Sequence, residues 1–425
     1  MGQRTRTLVL VILIVASVAR FGAAGEGDEP QAPSCLTADT LTDNWLGAGE
    51  ALSEKGLDFR LGLTAIYQLN LDGGLATHRR AGRSTGSFDL EAELDFQRLF
   101  GVPAAKLYAL AEGSWSDGLD ASSIGSVGGF EVNGDAGGDR SIDLTQLYYE
   151  QELLDGRLRF RVGKLDLTGG FECRHCPVAF DGNAFANDET AQFLNAALVN
   201  NPAIPFPSES LGAVVYAEPA DGAYVSAGVA DAQGDARETG FNTAFHDEDY
   251  FFSIFEFGLV PHLPGPRGPL RGGYRAGFWY DPQDKAKHAG GTKRDDVGFY
   301  LSCDQVLIKE NPGEDDEQGL GVFGRYGLAD GDVSEVRRFW SVGCQYLGLL
   351  PTRDEDVIAF GVAQGRLARA AGFGALHTTV MELYYNVQVT PWLNLSPSIQ
   401  HVINPGGANA SNHATVIGVR AQVAF

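Results

Sequence analysis

The stretch LDFRLGLTAIYQLN, from Leu57 to Asn70, alternates between apolar and polar side chains. A second stretch, FDLEAELDFQ from Phe88 to Gln97, repeats the alternation with carboxylates at 89, 91, 93 and 95. A period of two over this length is typical of a β-strand with one apolar and one polar face. Strands of soluble domains average about five or six residues. The two stretches therefore predict a membrane β-barrel with an apolar lipid face and a wet lumen.

The N-terminus has the pattern of a secretory signal peptide. Arg4 and Arg6 precede an apolar run from Leu8 to Ala19, and small residues follow up to Ala24. The alternative, a membrane anchor, is disfavoured because a spanning helix needs about twenty apolar residues. We expect residues 1–24 to be a signal peptide, 25–56 a short, helical, plug-like periplasmic segment, and 57–425 the barrel in the outer membrane.

Composition supports an all-β fold and excludes a nucleic-acid partner. The chain has 55 Gly, 10% aromatic residues and two Met, which suits twisted strands and turns better than helical packing. The formal net charge of −23 would repel the phosphates of a nucleic acid. No Pro- or Ser-rich linker separates independent cores, so one barrel uses the whole chain.

Strand signals divide the chain into about sixteen segments. The even number and the alternation of long and short connections predict a transmembrane, antiparallel, up-and-down barrel with long external loops. The connection from about 167 to 209 is too long for a hairpin, and we expect it to fold into the lumen and narrow it. The predicted strands are 57–71, 86–99, 105–116, 140–152, 157–166, 210–218, 222–231, 246–259, 270–281, 294–308, 318–329, 335–349, 354–368, 375–389, 392–402 and 414–425.

Several ordered motifs carry a family resemblance. The sequence resembles the OprB-type carbohydrate-selective porins, most clearly in its C-terminal third. The matching segments are Gly163–Asp166, Phe323–Gly327, Ala329–Asp332, Arg337–Gly343, Glu382–Tyr385, Pro391–Leu393 and Pro397–Gln400. The resemblance implies a sixteen-stranded barrel through which small sugars diffuse passively.

The residues suggest how such a pore would recognise sugars. Sugars are neutral and rich in hydroxyl groups, so a selective constriction needs charged donors and acceptors together with an aromatic ring. We expect a basic ladder that faces an acidic wall across the lumen, although each arginine could instead form a structural charge pair. The candidate pore-lining residues are Arg60, Asp89, Glu91, Glu93, Arg159, Arg161, Arg275, Trp279, Arg325 and Arg420.

Cys173 and Cys176 form a C-x-x-C motif in the long 167–209 connection. Three interpretations remain open: a disulfide within the loop, a reduced pair, or a metal or redox site. A single C-x-x-C without a second ligand pair is weak evidence for zinc, so the disulfide is favoured and no metal is predicted.

Other functions fit the sequence less well. An enzyme is not expected, because the chain has neither a G-x-S-x-G nor an H-E-x-x-H motif. A general or ion-preferring porin and a soluble secreted sugar-binding β protein are the alternatives. No cofactor is predicted. The expected partners are small sugars and outer-membrane lipid, with a homotrimer and a periplasmic sugar-binding protein left open.

Overall fold

A computed structural model describes residues 37–77, 82–168, 180–188, 190–235, 243–245, 249–312, 317–408 and 413–425. The predicted signal peptide and the cysteines at 173 and 176 lie outside the described residues.

Sixteen long strands form one closed, antiparallel barrel, which confirms the predicted fold class. Each strand pairs with its neighbours in sequence, and β16 pairs with β1 to close the barrel. The strands are β1 Leu57–Gly73, β2 Gly82–Asp95, β3 Ala105–Trp115, β4 Arg140–Leu153, β5 Leu158–Leu165, β6 Ser210–Ala220, β7 Ala223–Asp231, β8 Phe251–Leu259, β9 Leu270–Asp281, β10 Asp296–Lys309, β11 Gly319–Leu328, β12 Val336–Leu347, β13 Val357–Leu367, β14 His377–Thr390, β15 Leu393–Ile403 and β16 His413–Ala424.

β2 ends well before residue 99, the end that its sequence pattern predicts. β2 stops at Asp95, because the Asp95 carboxylate accepts hydrogen bonds from the backbone N–H groups of Gln97 and Arg98 (2.8 and 3.1 Å). This side chain caps the short helix Phe96–Phe100. The alternating pattern through Gln97 does not reveal the change from strand to helix.

The two faces of the barrel are inverted relative to a soluble protein. Large apolar side chains such as Phe59, Val342 and Phe360 are exposed on the outer face, whereas Gln68 and Gln400 are buried inside. Successive side chains of a strand point to opposite faces, so each strand contributes to both surfaces. The exposed apolar band is the surface that meets lipid.

The remaining elements are short. They are a left-handed turn at Asp43–Leu46, α-helices Ala48–Ser53, Phe96–Phe100 and Ala196–Val199, a π-helix at Asp120–Ile124, 3-10 helices at Arg369–Ala371 and Pro405–Gly407, and two-residue strands at His262–Leu263, Lys285–Ala286 and Thr292–Lys293. No helix within the described ranges is long and apolar enough to cross a membrane. The Leu41 N–H donates to the Ala424 carbonyl (2.9 Å), which places Leu41 at the short-turn end of the barrel.

The described residues of two long connections fold into the lumen. In the β3–β4 loop (116–139) and the β5–β6 loop (166–209), Phe130 and Phe193 pack against the inner face of β11–β16. Phe180, also in the β5–β6 loop, belongs to a second buried cluster along the inner face of β3–β10. The barrel therefore contains a hydrophobic core in its interior, and this core narrows the aqueous path.

Candidate functional site

Charged side chains of both signs line the inner face of β1 to β5. We call this set the charged ladder; it consists of Arg60, Glu91, Glu93, Lys106, Glu150, Glu152, Arg159 and Arg161. All eight lie in the half of the barrel that carries the short turns, near the start of β1, β3 and β5 and the end of β2 and β4.

Ion pairs connect the ladder from strand to strand. Arg60 lies 3.8 Å from Glu91, and Lys106 lies 2.8 Å from Glu93 and 3.7 Å from Glu150. Arg161 lies 2.5 Å from Glu150 on the next strand. Arg159 makes the last pair, at 2.5 Å from Glu152.

Strand register produces these pairs. Arg60 of β1 is the direct cross-strand partner of Glu91 of β2, and Glu150 of β4 is the partner of Arg161 of β5. Opposite charges at directly opposed positions stabilise a sheet by roughly 0.2–1 kcal/mol per pair. The β2 carboxylates and the β5 arginines therefore share one stretch of wall. The expectation that they face each other across the lumen is corrected by this order of strands.

Part of the ladder keeps contact with water. The Arg60 side chain is 76% exposed, and those of Glu93, Lys106 and Glu152 are each about one third exposed. Glu150 and Arg161 are only 5% and 14% exposed. The more exposed pairs, Arg60–Glu91 and Lys106–Glu93, contribute little to stability, about 0–1 kcal/mol each. Their donors and acceptors can consequently exchange partners with a passing solute at small cost.

Asp89 and Arg275 also face the interior of the barrel. Asp89 lies opposite Gly62 of β1 and Glu112 of β3. Arg275 of β9, whose side chain is 10% exposed, pairs with Asp304 of β10 at 2.5 Å. Arg275 thus forms part of a structural charge pair in the wall.

Trp279 does not present its ring to the aqueous lumen. Its exposure is 0%, and the ring stacks against Phe252 with 6.2 Å between ring centroids. Lys285 covers it, with Nζ 5.7 Å from the ring centroid. One aromatic ring beside the ladder is that of Tyr148, which lies under the Arg161 guanidinium at 4.9 Å.

Arg325 and Arg420 hold the β5–β6 loop against the wall, and both side chains are 0% exposed. Arg325 lies 3.2 Å from the Asp181 carboxylate and donates to the Leu198 carbonyl (3.0 Å) and to the Asn187 side chain. Arg420 donates to the carbonyls of Thr190 (3.0 Å) and Gln192 (2.8 Å). Their guanidinium groups therefore donate hydrogen bonds to the loop rather than to solutes in the lumen.

Other anchors of this loop were missed from sequence. The Glu382 carboxylate accepts the N–H groups of Leu194 and Asn195 at 2.9 Å each. The Tyr384 hydroxyl donates to the Ala191 carbonyl (2.8 Å), and the Asn386 amide to the Thr190 carbonyl (3.0 Å). The spacing of two from Glu382 to Asn386 was the available signal, because it places all three on the inner face of β14.

Sequence reasoning also missed three of the eight ladder residues. Lys106 and Glu150 link the acidic residues of β2 to the arginines of β5, and Glu152 pairs with Arg159. Glu150 and Glu152 have the same period-two spacing as Glu91 and Glu93. That spacing could have identified them as residues of the inner face.

Burial perturbs carboxyl groups of the two inner loops. Burial raises the pKa of Asp181 to about 7, even though the Arg325 guanidinium acts in the opposite direction. Burial likewise raises the pKa of Asp120 in the β3–β4 loop. The protonation of Asp181 near neutral pH is therefore coupled to the docking of the loop against the barrel wall.

Comparison with known proteins gives consistent matches. A family model described as carbohydrate-selective porin, OprB family, matches residues 79–425. Porin B of Pseudomonas aeruginosa is 24% identical over 445 residues, covering 95% of this chain and 96% of that protein. Porin AaxA of Chlamydia muridarum is 23% identical over 285 residues, covering 66% of this chain and 55% of that protein.

Solved structures show the same fold. The high-pH structure of Pseudomonas putida OprB superposes with a TM-score of 0.77 at 22% identity, covering 93% of this chain and 100% of that one. The low-pH structure of the same protein gives a TM-score of 0.57 at 21% identity, with 92% and 99% coverage.

Proposed function

The chain belongs to the OprB family of carbohydrate-selective porins, and from this premise we propose how it selects its solutes. It is an outer-membrane sugar porin. The proposal concerns the residues that line the path: the charged ladder is the part of the inner wall that a sugar contacts while it diffuses passively past the β3–β4 and β5–β6 loops.

The observation that carries this proposal is the exposure of several ladder side chains to water beside a largely buried interior. Arg60, Lys106 and Glu152 keep exposed side chains, whereas Arg325 and Arg420 are covered by the inward loop. Each hydroxyl of a sugar both donates and accepts a hydrogen bond, so alternating cations and carboxylates can bond to it at each position along the ladder. A neutral solute gains these bonds without a net electrostatic attraction that would trap it.

Liposome swelling tests the proposal. Glucose, a disaccharide, a neutral amino acid of similar size and a charged organic solute are compared with the purified porin. We expect glucose to enter faster than the amino acid. The double variant R159Q/R161Q should lose most of this preference while retaining permeability, because Glu152 loses its partner and Glu150 keeps only Lys106.

A matched control replaces an arginine outside the lumen. Arg157 lies in the β4–β5 turn and pairs with Asp221 at 2.7 Å, with both side chains exposed. The R157Q variant should keep the sugar preference. Entry ordered by size alone in the unmodified protein would instead indicate a general or ion-preferring porin, for which the net charge of −23 is the supporting observation.

Four further assignments belong to the proposal. Residues 1–24 act as a signal peptide, Cys173 and Cys176 form a loop disulfide, and the chain has no catalytic activity. A periplasmic sugar-binding protein receives the sugar. Whether the porin is a monomer or a homotrimer is measured by native mass spectrometry of the detergent-purified protein.

A further inference from the structure

Two arginines face each other on the outer surface of the barrel. Arg338, near the start of β12, is the direct cross-strand partner of Arg366, near the end of β13. Both are exposed, and they share the outward phase of Val342 and Phe360. The pair lies at the end of the barrel that carries the long external loops.

This pairing is unfavourable by itself. Like charges at directly opposed positions destabilise a sheet. No carboxylate in the described part of the chain lies within ion-pair distance of either guanidinium group. Of the acids in the β11–β12 loop, Asp330 pairs with Lys293. The two charges therefore lack a compensating partner within the described chain.

The position of the pair relative to the membrane identifies its surroundings. Tyr326 and Trp340, also cross-strand partners, lie one outward position closer to the middle of the barrel. Aromatic residues at such positions mark the interface between hydrocarbon and headgroups. Arg338 lies two residues beyond Trp340, about 7 Å further along the strand. The arginines are thus at the level of the lipid headgroups, directly above the exposed apolar band.

We propose that Arg338 and Arg366 bind a phosphate group of an anionic glycolipid in the outer leaflet. Guanidinium groups bind phosphate through paired, charge-assisted hydrogen bonds, and a phosphate between the two arginines removes their repulsion. The acyl chains of the same lipid lie along Val342, Phe360 and Leu383, which are exposed on the outer face. This continuity with the apolar band favours a lipid over free phosphate.

A third donor lies on the next strand. His377 at the start of β14 is exposed and is the direct cross-strand partner of Arg366. Its ring N–H extends the site across three neighbouring strands. The chain as a whole is acidic, with a net charge of −23, so an anion is held by this local patch rather than by the overall field.

Native mass spectrometry of the detergent-purified porin tests the site with bis-phosphorylated lipid A as the probe. We expect R338Q/R366Q to weaken lipid A binding about thirtyfold, since each basic residue near an anionic lipid surface contributes about a factor of five. The matched control R98Q/R157Q removes two exposed arginines at the short-turn end and should bind as the unmodified protein does. R338K/R366K should retain part of the binding, because charge remains while the paired hydrogen bonds are lost.

Two further arms separate the possible ligands. Dephosphorylated lipid A should bind the unmodified protein as weakly as lipid A binds R338Q/R366Q, and inorganic phosphate at equal concentration should not compete. Equal binding of lipid A and dephosphorylated lipid A by the unmodified protein would overturn the proposal. Equal binding of lipid A by R338Q/R366Q and by the unmodified protein would also overturn it. So would loss of protein–protein oligomers instead of lipid adducts in R338Q/R366Q, which would assign the pair to a contact between porin copies. Heat-dependent migration on gels verifies that each variant is folded.

Discussion

The role of an inward-facing charged residue depends on whether a loop covers it. Arg60 and Arg325 both occupy inner-face positions, yet one side chain is 76% exposed and the other 0%. Arg325 lies beneath the β5–β6 loop and donates to the Leu198 carbonyl. A buried backbone carbonyl needs such a hydrogen-bond donor. Arg60 lies beyond the loop and stays in water. The same residue type thus anchors the loop at one position and is available to solutes at the other.

Glu382 tests this distinction. The E382Q variant keeps the size of the side chain but leaves one N–H of Leu194 or Asn195 without an acceptor, because an amide has one oxygen. The cost of an unpaired buried N–H group is about 1–3 kcal/mol. We therefore expect a looser loop and faster entry of a trisaccharide in liposome swelling, while entry of glucose changes little.

The control for this variant is D221N, which removes one carboxylate charge in a turn outside the lumen, where Asp221 pairs with Arg157. It should leave trisaccharide entry unchanged. Equal behaviour of the two variants would mean that the loop does not set the size limit.

At the scale of elements, periodicity predicted the strands and their faces but not what covers them. The alternation in β1 and β2 correctly assigned inner and outer positions, since it depends only on the local chain. The docking of the β5–β6 loop depends on tertiary contacts such as those of Glu382 and Tyr384, which no local pattern encodes. Trp279 illustrates the difference, because its inward phase was predictable and its burial was not.

Loop docking should depend on pH through Asp181. Burial raises its pKa from the usual 3.8 to about 7, so between these values the docked residue is protonated and the undocked one ionised. Undocking then releases a proton, so the stability of the docked state falls as pH rises towards 7. Above pH 7 this stability no longer changes with pH. The loss is on the order of a few kcal/mol. Thermal unfolding from pH 5 to 8 should show this slope in the unmodified protein and a flatter curve in D181N.

Asp330 in the β11–β12 loop provides the control. The hydrogen bond from Lys293 lowers its pKa below 3.8, so its contribution to stability is complete above that pH. The D330N curve should therefore run parallel to that of the unmodified protein from pH 5 to 8. A D181N curve with the unmodified slope would show that another group controls docking.

At the scale of the whole molecule, local and total charge differ. The chain carries a formal charge of −23, whereas the ladder has four cations and four carboxylates. Fixed charges act on ions over a Debye length, about 10 Å at 0.1 M salt. Ions in the narrow path therefore respond to the balanced ladder more than to distant surface carboxylates.

Reversal potentials in planar bilayers under a KCl gradient measure this balance. R159Q/R161Q leaves the ladder with an excess of two negative charges, so the reversal potential should move towards that of a cation-selective pore. E150Q/E152Q should move it in the opposite direction by a similar amount. Both shifts should shrink when the salt is raised to about 1 M, where the Debye length falls to about 3 Å.

The control is the neutral pair variant R157Q/D221N, on turns outside the lumen, which should not shift the reversal potential. If neither ladder variant moved the potential, ions and sugars would have to pass along another part of the wall.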